Sequence, residues 1–131
     1  MESAAEAGPR AGQYLTFRVA RQDCAIEASC VRAVLPWSDL TRDDDAAAPG
    51  HLAGFVSMHG GIFPVVDLAR KLGFPTAPPG RSPCIVVIEG VGFVADRVSG
   101  VIDVRARDLH GRKILKHGRP RIIIDVDKVK T

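Results

Sequence analysis

The sequence predicts a mainly β protein, and three stretches carry that prediction. Gln13 to Ala28 reads as a hairpin, Gly54 to Val66 as a second hairpin, and Cys84 to Ala95 as a buried apolar strand with its partner. Helical signals are confined to short turns between them.

Taken in order, Tyr14, Thr16 and Arg18 alternate with Leu15, Phe17 and Val19, the period-2 pattern of a half-buried strand. Arg21-Gln22-Asp23 is a polar turn, and Cys24 to Ala28 is the return strand. Ser29 can cap a helical turn through Val31 and Val34 that Pro36 stops. Trp37 to Gly50 has no periodicity and reads as a surface loop. Its adjacent Asp43, Asp44 and Asp45 lack the alternating spacing and distal Glu of a calcium loop, so a solvated acidic loop is expected rather than a metal site. In the central stretch, Phe55, Val56 and Met58 lead into His59-Gly60-Gly61, where glycine supplies positive φ, and Ile62, Phe63, Val65 and Val66 follow. Pro64 cannot donate to a ladder, which marks its position as an edge, a bulge or a strand end. Phe63 is expected as a core anchor. Asp67 stands where it can cap a short helix over Leu68 to Leu72, ended by Gly73. Phe74 to Pro83, rich in proline, connects the two halves. Cys84 to Glu89 reads as a fully buried strand, Gly92 to Ala95 as its partner, and Asp96-Arg97-Val98 leads into Ser99 to Val104. His117 to Pro120 is a turn, Arg121 to Asp125 a buried strand, and Val126 to Val129 a terminal helical turn.

The 131 residues suffice for one domain or two very small intertwined subdomains, and 46% apolar with 25% charged residues is an ordinary globular balance. No apolar run approaches the roughly 20 residues that cross a bilayer. Met1 to Gly12 lacks the features of a secretory signal and reads as a disordered tail, leaving 13–131 as the folded unit in a cytoplasmic protein. Cys24, Cys30 and Cys84 sit among apolar neighbours with no CxxC spacing, as buried free thiols do. No G-x-S-x-G elbow accompanies His59-Gly60-Gly61, no P-loop follows Gly90-Val91-Gly92, and the four histidines lack metal-ligand spacing. The sequence therefore argues for binding rather than catalysis, with no cofactor and no metal. From Val101 on, nine Lys/Arg stand against four Asp. A small basic β-barrel binding nucleic acid or another acidic partner is the rival reading, but the single Trp and single Tyr lie far upstream, so the basic segment has no base-stacking platform.

Gly54, Gly60, Pro64-Val65, Asp67-Leu68 and Leu72-Gly73 together resemble the central signature of the CheW-like domain, the adaptor module of bacterial chemotaxis. The opening strand, turn and V-x-x-V segment, the run Val94 to Val101, and Ile124-Asp125-Val126-Asp127-Lys128-Val129 resemble the same family, so the likeness runs from Gln13 to Lys130. The resemblance implies two small intertwined five-stranded SH3-like β-barrels sharing a hydrophobic core. It also implies a non-enzymatic adaptor recruited to chemoreceptor arrays. Its partners would be the regulatory domain of a CheA-type histidine kinase, the cytoplasmic tip of a methyl-accepting chemoreceptor, and other CheW-like domains.

By position, the resemblance places Val31, Gly54, Met58 and His59 on the receptor-facing groove, with Val98, Val101 and Ile102 as exposed apolar positions of the same surface. Two departures touch it. His59 stands where the family usually has Arg, and Ala33 where it usually has Glu, so both ends of one ion pair are replaced together and no charge is left stranded. A third departure is the short, basic connection between Val104 and Ile122, which would remove part of a barrel's rim. Lys113, Lys116 and Arg119 there point to a partner more acidic than usual.

Overall fold

Turn residues set the strand pairing. The computed structural model describes residues 9–42, 51–75 and 83–130. The tail 1–8, the aspartates 43–45 and most of the proline-rich connection lie outside the described residues. In chain order the strands are β1 (Gly12–Val19), β2 (Gln22–Glu27), β3 (Ala33–Pro36), β4 (Thr41–Arg42), β5 (Leu52–Met58) and β6 (Gly61–Val66). Then come β7 (Cys84–Ile88), β8 (Val91–Ala95), β9 (Arg97–Val104), β10 (Leu109–His110), β11 (Lys113–Lys116) and β12 (Arg119–Ile123). Two short helices, α1 (Leu68–Leu72) and α2 (Val126–Lys130), follow β6 and β12. Three hairpins turn through two residues that both have positive φ: Ala20-Arg21, His59-Gly60 and His117-Gly118. This is the type I′ geometry that matches strand twist.

The strands form two six-stranded sheets, ordered β10-β11-β12-β2-β1-β9 and β3-β7-β8-β6-β5-β4. Each has five longer strands and one of two residues, β10 or β4, at an edge. The first is a split barrel, built from residues 12–27 and 97–123; the second is a central barrel, built from residues 33–42, 52–66 and 84–95. Both follow one plan. A two-residue strand precedes a hairpin, the hairpin's second strand pairs in parallel with the next hairpin, and a lone strand closes the far edge. Parallel pairing is brief, Ile122↔Cys24 and Ile123↔Ala25 in one barrel, Val65↔Gly92 and Val66↔Phe93 in the other. Pro64 and Pro120 precede these pairs, where their strands have a neighbour on one side only and a missing N–H breaks no ladder.

Alternation along the strands divides the apolar residues among three cores. Tyr14, Ala25, Val104, Ile114 and Ile123 fill the split barrel, and Val56, Val65, Ile85 and Val87 fill the central one. Their strand neighbours Leu15, Phe17, Val19, Ile26, Val66, Val86, Ile88 and Phe93 meet between the barrels with Leu68, Ile124 and Val129. In that shared core the rings of Phe17 and Phe93 lie 5.1 Å apart, tilted by 45°.

Several expectations change. β1 is buried on both faces from Tyr14 to Phe17, not half-buried, because it lies between two cores. Its one polar member there, Thr16, donates its hydroxyl to the Gly100 carbonyl at 3.0 Å, beside a bulge where Ser99 is the extra residue. The helical turn through Val31 and Val34 is absent. A 3-10 turn spans Ala28–Cys30, without a Ser29 cap, and Ala33–Pro36 pairs with β7 instead. β-branched Val34 gains more from the sheet than an isolated turn offers. Ser99 to Val104 belongs to a strand that starts at Arg97 and pairs along β1. The basic connection removes no strand from the rim: it supplies β10 and β11. Pro9 to Ala11 are placed, with the Tyr14 hydroxyl donating to the Arg10 carbonyl at 2.6 Å. Of the three thiols only Cys24 is fully buried; Cys30 and Cys84 are half-buried.

The Asp67 cap and Gly73 stop are as expected. The Arg70 N–H donates to Asp67 Oδ1 at 3.3 Å, and Gly73 takes φ 73° while Phe74 N–H reaches the Ala69 carbonyl at 2.9 Å.

Candidate partner-binding surface

Val31 follows the 3-10 turn, held by its own N–H to the Ala28 carbonyl (3.1 Å) and by Arg32 N–H to the Val87 carbonyl (2.7 Å). It is half-buried against the shared core. Val34 is on the same side of β3: Ala33 and Leu35 pack into the central barrel, and Val34's cross-strand partner Val86 is in the shared core. Val34 is nevertheless 44% exposed. The other barrel mirrors this. Val98 packs on the shared core opposite Phe17, and Val101, opposite Leu15, is 54% exposed. β3 and β9 are the lone edge strands of their sheets, so each barrel presents an apolar edge at the rim of the core they share.

The other predicted positions are distributed differently. Ile102 pairs with Tyr14 and packs into the split barrel, so it and half-buried Val98 are not the exposed positions expected. Gly54 is buried, opposite Arg42 of β4. Ala33 and Met58 are half-buried against the central barrel's core, as is Phe63. His59 is exposed at the β5–β6 turn with φ 50°. A helical V-x-x-V segment would not put Val34 on this rim; the strand alternation Ala33-Val34-Leu35 is the signal in the sequence that does.

A cleft of about 220 Å³ lies among Arg10, Glu27, Cys30, Arg112 and Asp125, where Arg10 pairs with Glu27 and Arg112 with Asp125, each at 3.7 Å. Burial, helped by the Asp23 carboxylate, pushes the Cys24 thiol up to about 12, and burial also raises Cys84. Both are held as neutral thiols, poor nucleophiles at neutral pH. Among the described residues no group of three or more His, Cys, Asp or Glu is placed to hold a metal.

Two SH3-like barrels fused through a common core, with their exposed apolar residues on edges and faces, define a two-barrel binding module. The chain belongs to the CheW-like domain family, whose sequence model matches residues 13–129. It is 30% identical over 101 residues to a chemotaxis protein CheW of Rhizobium meliloti, a match covering 74% of this chain and 64% of that protein. The chain thus spans just under two thirds of that relative's length. A chemotaxis protein CheW of Thermotoga maritima is 29% identical over 133 residues, covering 89% of this chain and 86% of that one. The fold is similar to that of the CheW scaffolding protein of Thermoanaerobacter tengcongensis, with a TM-score of 0.75, 18% identity, and 88% and 90% of the two chains covered.

Proposed function

We propose that this chain is a non-enzymatic chemosensory adaptor that couples the cytoplasmic tip of a methyl-accepting chemoreceptor to the regulatory domain of a CheA-type histidine kinase. The observation that carries the reading is the apolar rim of the shared core, to which the two barrels contribute Val31 with Val34 and Val98 with Val101. A helical hairpin suits such a rim, because an amphipathic helix buries its apolar face against apolar surface of this kind. Val31, Val98, Val101 and exposed His59 make the receptor contact, while Ala33, Gly54, Met58 and Ile102 shape it from behind. The protein works in the cytoplasm at receptor arrays, and edge strands of other CheW-like domains are further partners. Family membership supports the kinase side of the coupling.

The test is calorimetric titration with a kinase regulatory domain and with a receptor-tip helical hairpin, each at two salt concentrations. Both are expected to bind, and Val101→Glu should weaken the receptor titration about ten-fold or more by placing a charge on the apolar rim. Blank titrations with both partners, alongside salt-sensitive binding to single-stranded nucleic acid, would sink the coupling role and favour the rival reading.

A further inference from the structure

The last hairpin carries a charge arrangement that the coupling role leaves unused. Ile114 and Ile123 point into the split barrel's core and fix which face is inward. The pairs Ile114↔Arg121 and Lys116↔Arg119 therefore put Lys116, Arg119 and Arg121 on that inward face, while Lys113 and Leu115 point out. Like charges directly opposite on an antiparallel pair repel, and here a third cation sits two residues further along.

Compensation within the chain is thin. Lys116 Nζ donates to the Asp103 carbonyl and lies 3.9 Å from Asp108. Arg119 reaches Asp23 at 3.7 Å, a carboxylate it shares with Arg18 at 3.6 Å. Arg121 makes no side-chain hydrogen bond or ion pair among the described residues, and its Nη1 is buried. The matching hairpin of the central barrel shows what the fold needs at these places. Counted from its turn, the same register holds Met58 opposite Gly61, then Val56 opposite Phe63. Met58 and Phe63 pack on the core, with no polar atom to satisfy. One barrel end is thus closed by apolar side chains and the other by three cations, one of which, Arg121, keeps an unpaired buried donor.

Resting on the adaptor reading, we infer that the inward face of the β11–β12 hairpin is a docking site for a carboxylate-bearing segment of a protein partner, whose Asp or Glu side chains complete Arg121, Lys116 and Arg119. A guanidinium presents parallel donors that match a carboxylate, and an ammonium beside it adds charge without directional demands. Arg119 is 59% exposed and Lys116 22% exposed, so the cluster opens to solvent along one side. Acidity of the partner therefore concerns Arg121 rather than Lys113.

The experiment is an NMR titration of the full chain with a hexaglutamate peptide, following the side-chain Nε–Hε signals of Arg119 and Arg121, with inorganic phosphate as a parallel arm. Saturable peptide binding that shifts Arg121 and weakens with salt is expected. Arg121→Met should weaken it about ten-fold or more, yet raise the melting temperature, because an unpaired buried donor is replaced by an apolar side chain. Lys116→Gln should weaken binding without that thermal gain, which keeps the test independent of how Arg121→Met folds. No saturable shift at Arg121, undiminished binding by both variants, or a response to phosphate alone would overturn the inference. Running the kinase-domain titration beside it separates the two readings. A chain that binds the kinase domain but not the peptide loses only this site, and one that binds the peptide but neither kinase nor receptor retains the site while the coupling role fails.

Discussion

A Cβ built on Gly54 would stand 2.1 Å from the Thr41 carbonyl oxygen and 3.0 Å from Arg42 Cα, both backbone atoms of β4. Gly54→Ala must therefore displace that strand, and a loss of about 1–3 kcal/mol in urea unfolding is expected. Gly60, in the same hairpin, has nothing within 4 Å of such a Cβ but takes φ 77°. Gly60→Ala should cost about 1 kcal/mol through backbone strain alone. Cys24 sets a pH limit. Its thiol has an ordinary value of 9.0 and is pushed up to about 12 by burial, so the folded state holds the proton more tightly than the unfolded chain. The linked stability is fully present below pH 9 and is lost as pH rises from there toward 12. Thermal melts at pH 7 and pH 10 should show a larger alkaline loss in the native sequence than in Cys24→Ala, and native-state labelling of Cys24 should be slow. At this scale the sequence discloses what a residue does to its own backbone, as with Asp67 capping α1. It does not disclose what crosses from elsewhere: the obstacle at Gly54 belongs to a two-residue strand that carries no periodic signal.

The Ala20-Arg21 turn is a type I′ turn without glycine, with φ 49° and 68°. Two hydrogen bonds brace it, Ala20 N–H to Asp96 Oδ2 at 2.9 Å and Asp96 N–H to the Arg18 carbonyl at 2.8 Å. Arg21 is exposed, and Arg18 Nη2 donates to its backbone carbonyl, so Arg21→Gly keeps the hydrogen bonds of the turn's backbone and relieves the left-handed strain. A gain of about 0.5–1 kcal/mol is expected, read as a rise in the urea midpoint with unchanged slope. Hairpins were legible because each is a local decision between two apolar runs and a turn. β3 was not, since its four residues are held by Val87, Val86, Ile85 and Cys84, some fifty positions away. The double burial of β1 was hidden for a related reason: Tyr14 and Thr16 do not read as apolar alternates, and only packing between two cores buries both faces.

The shared core makes the two barrels one cooperative unit. Phe17 and Phe93 come from different sheets, and Phe93→Ala should cost about 3–5 kcal/mol while leaving a single unfolding transition seen alike by circular dichroism and tryptophan fluorescence. Separate transitions for the two barrels would contradict this. The two-barrel architecture was expected from family resemblance, whereas the common strand plan and the cationic end of one barrel emerge only from register. Pairing of β2 with β12 also orders events while the chain is being made. The central barrel has all its strands once β8 has left the ribosome and β1 gains β9 next, but the outer edge of β2 must wait, unpaired, until β12 emerges. Late synthesis therefore completes the earliest hairpin, and that interval is where a holding chaperone would find its substrate.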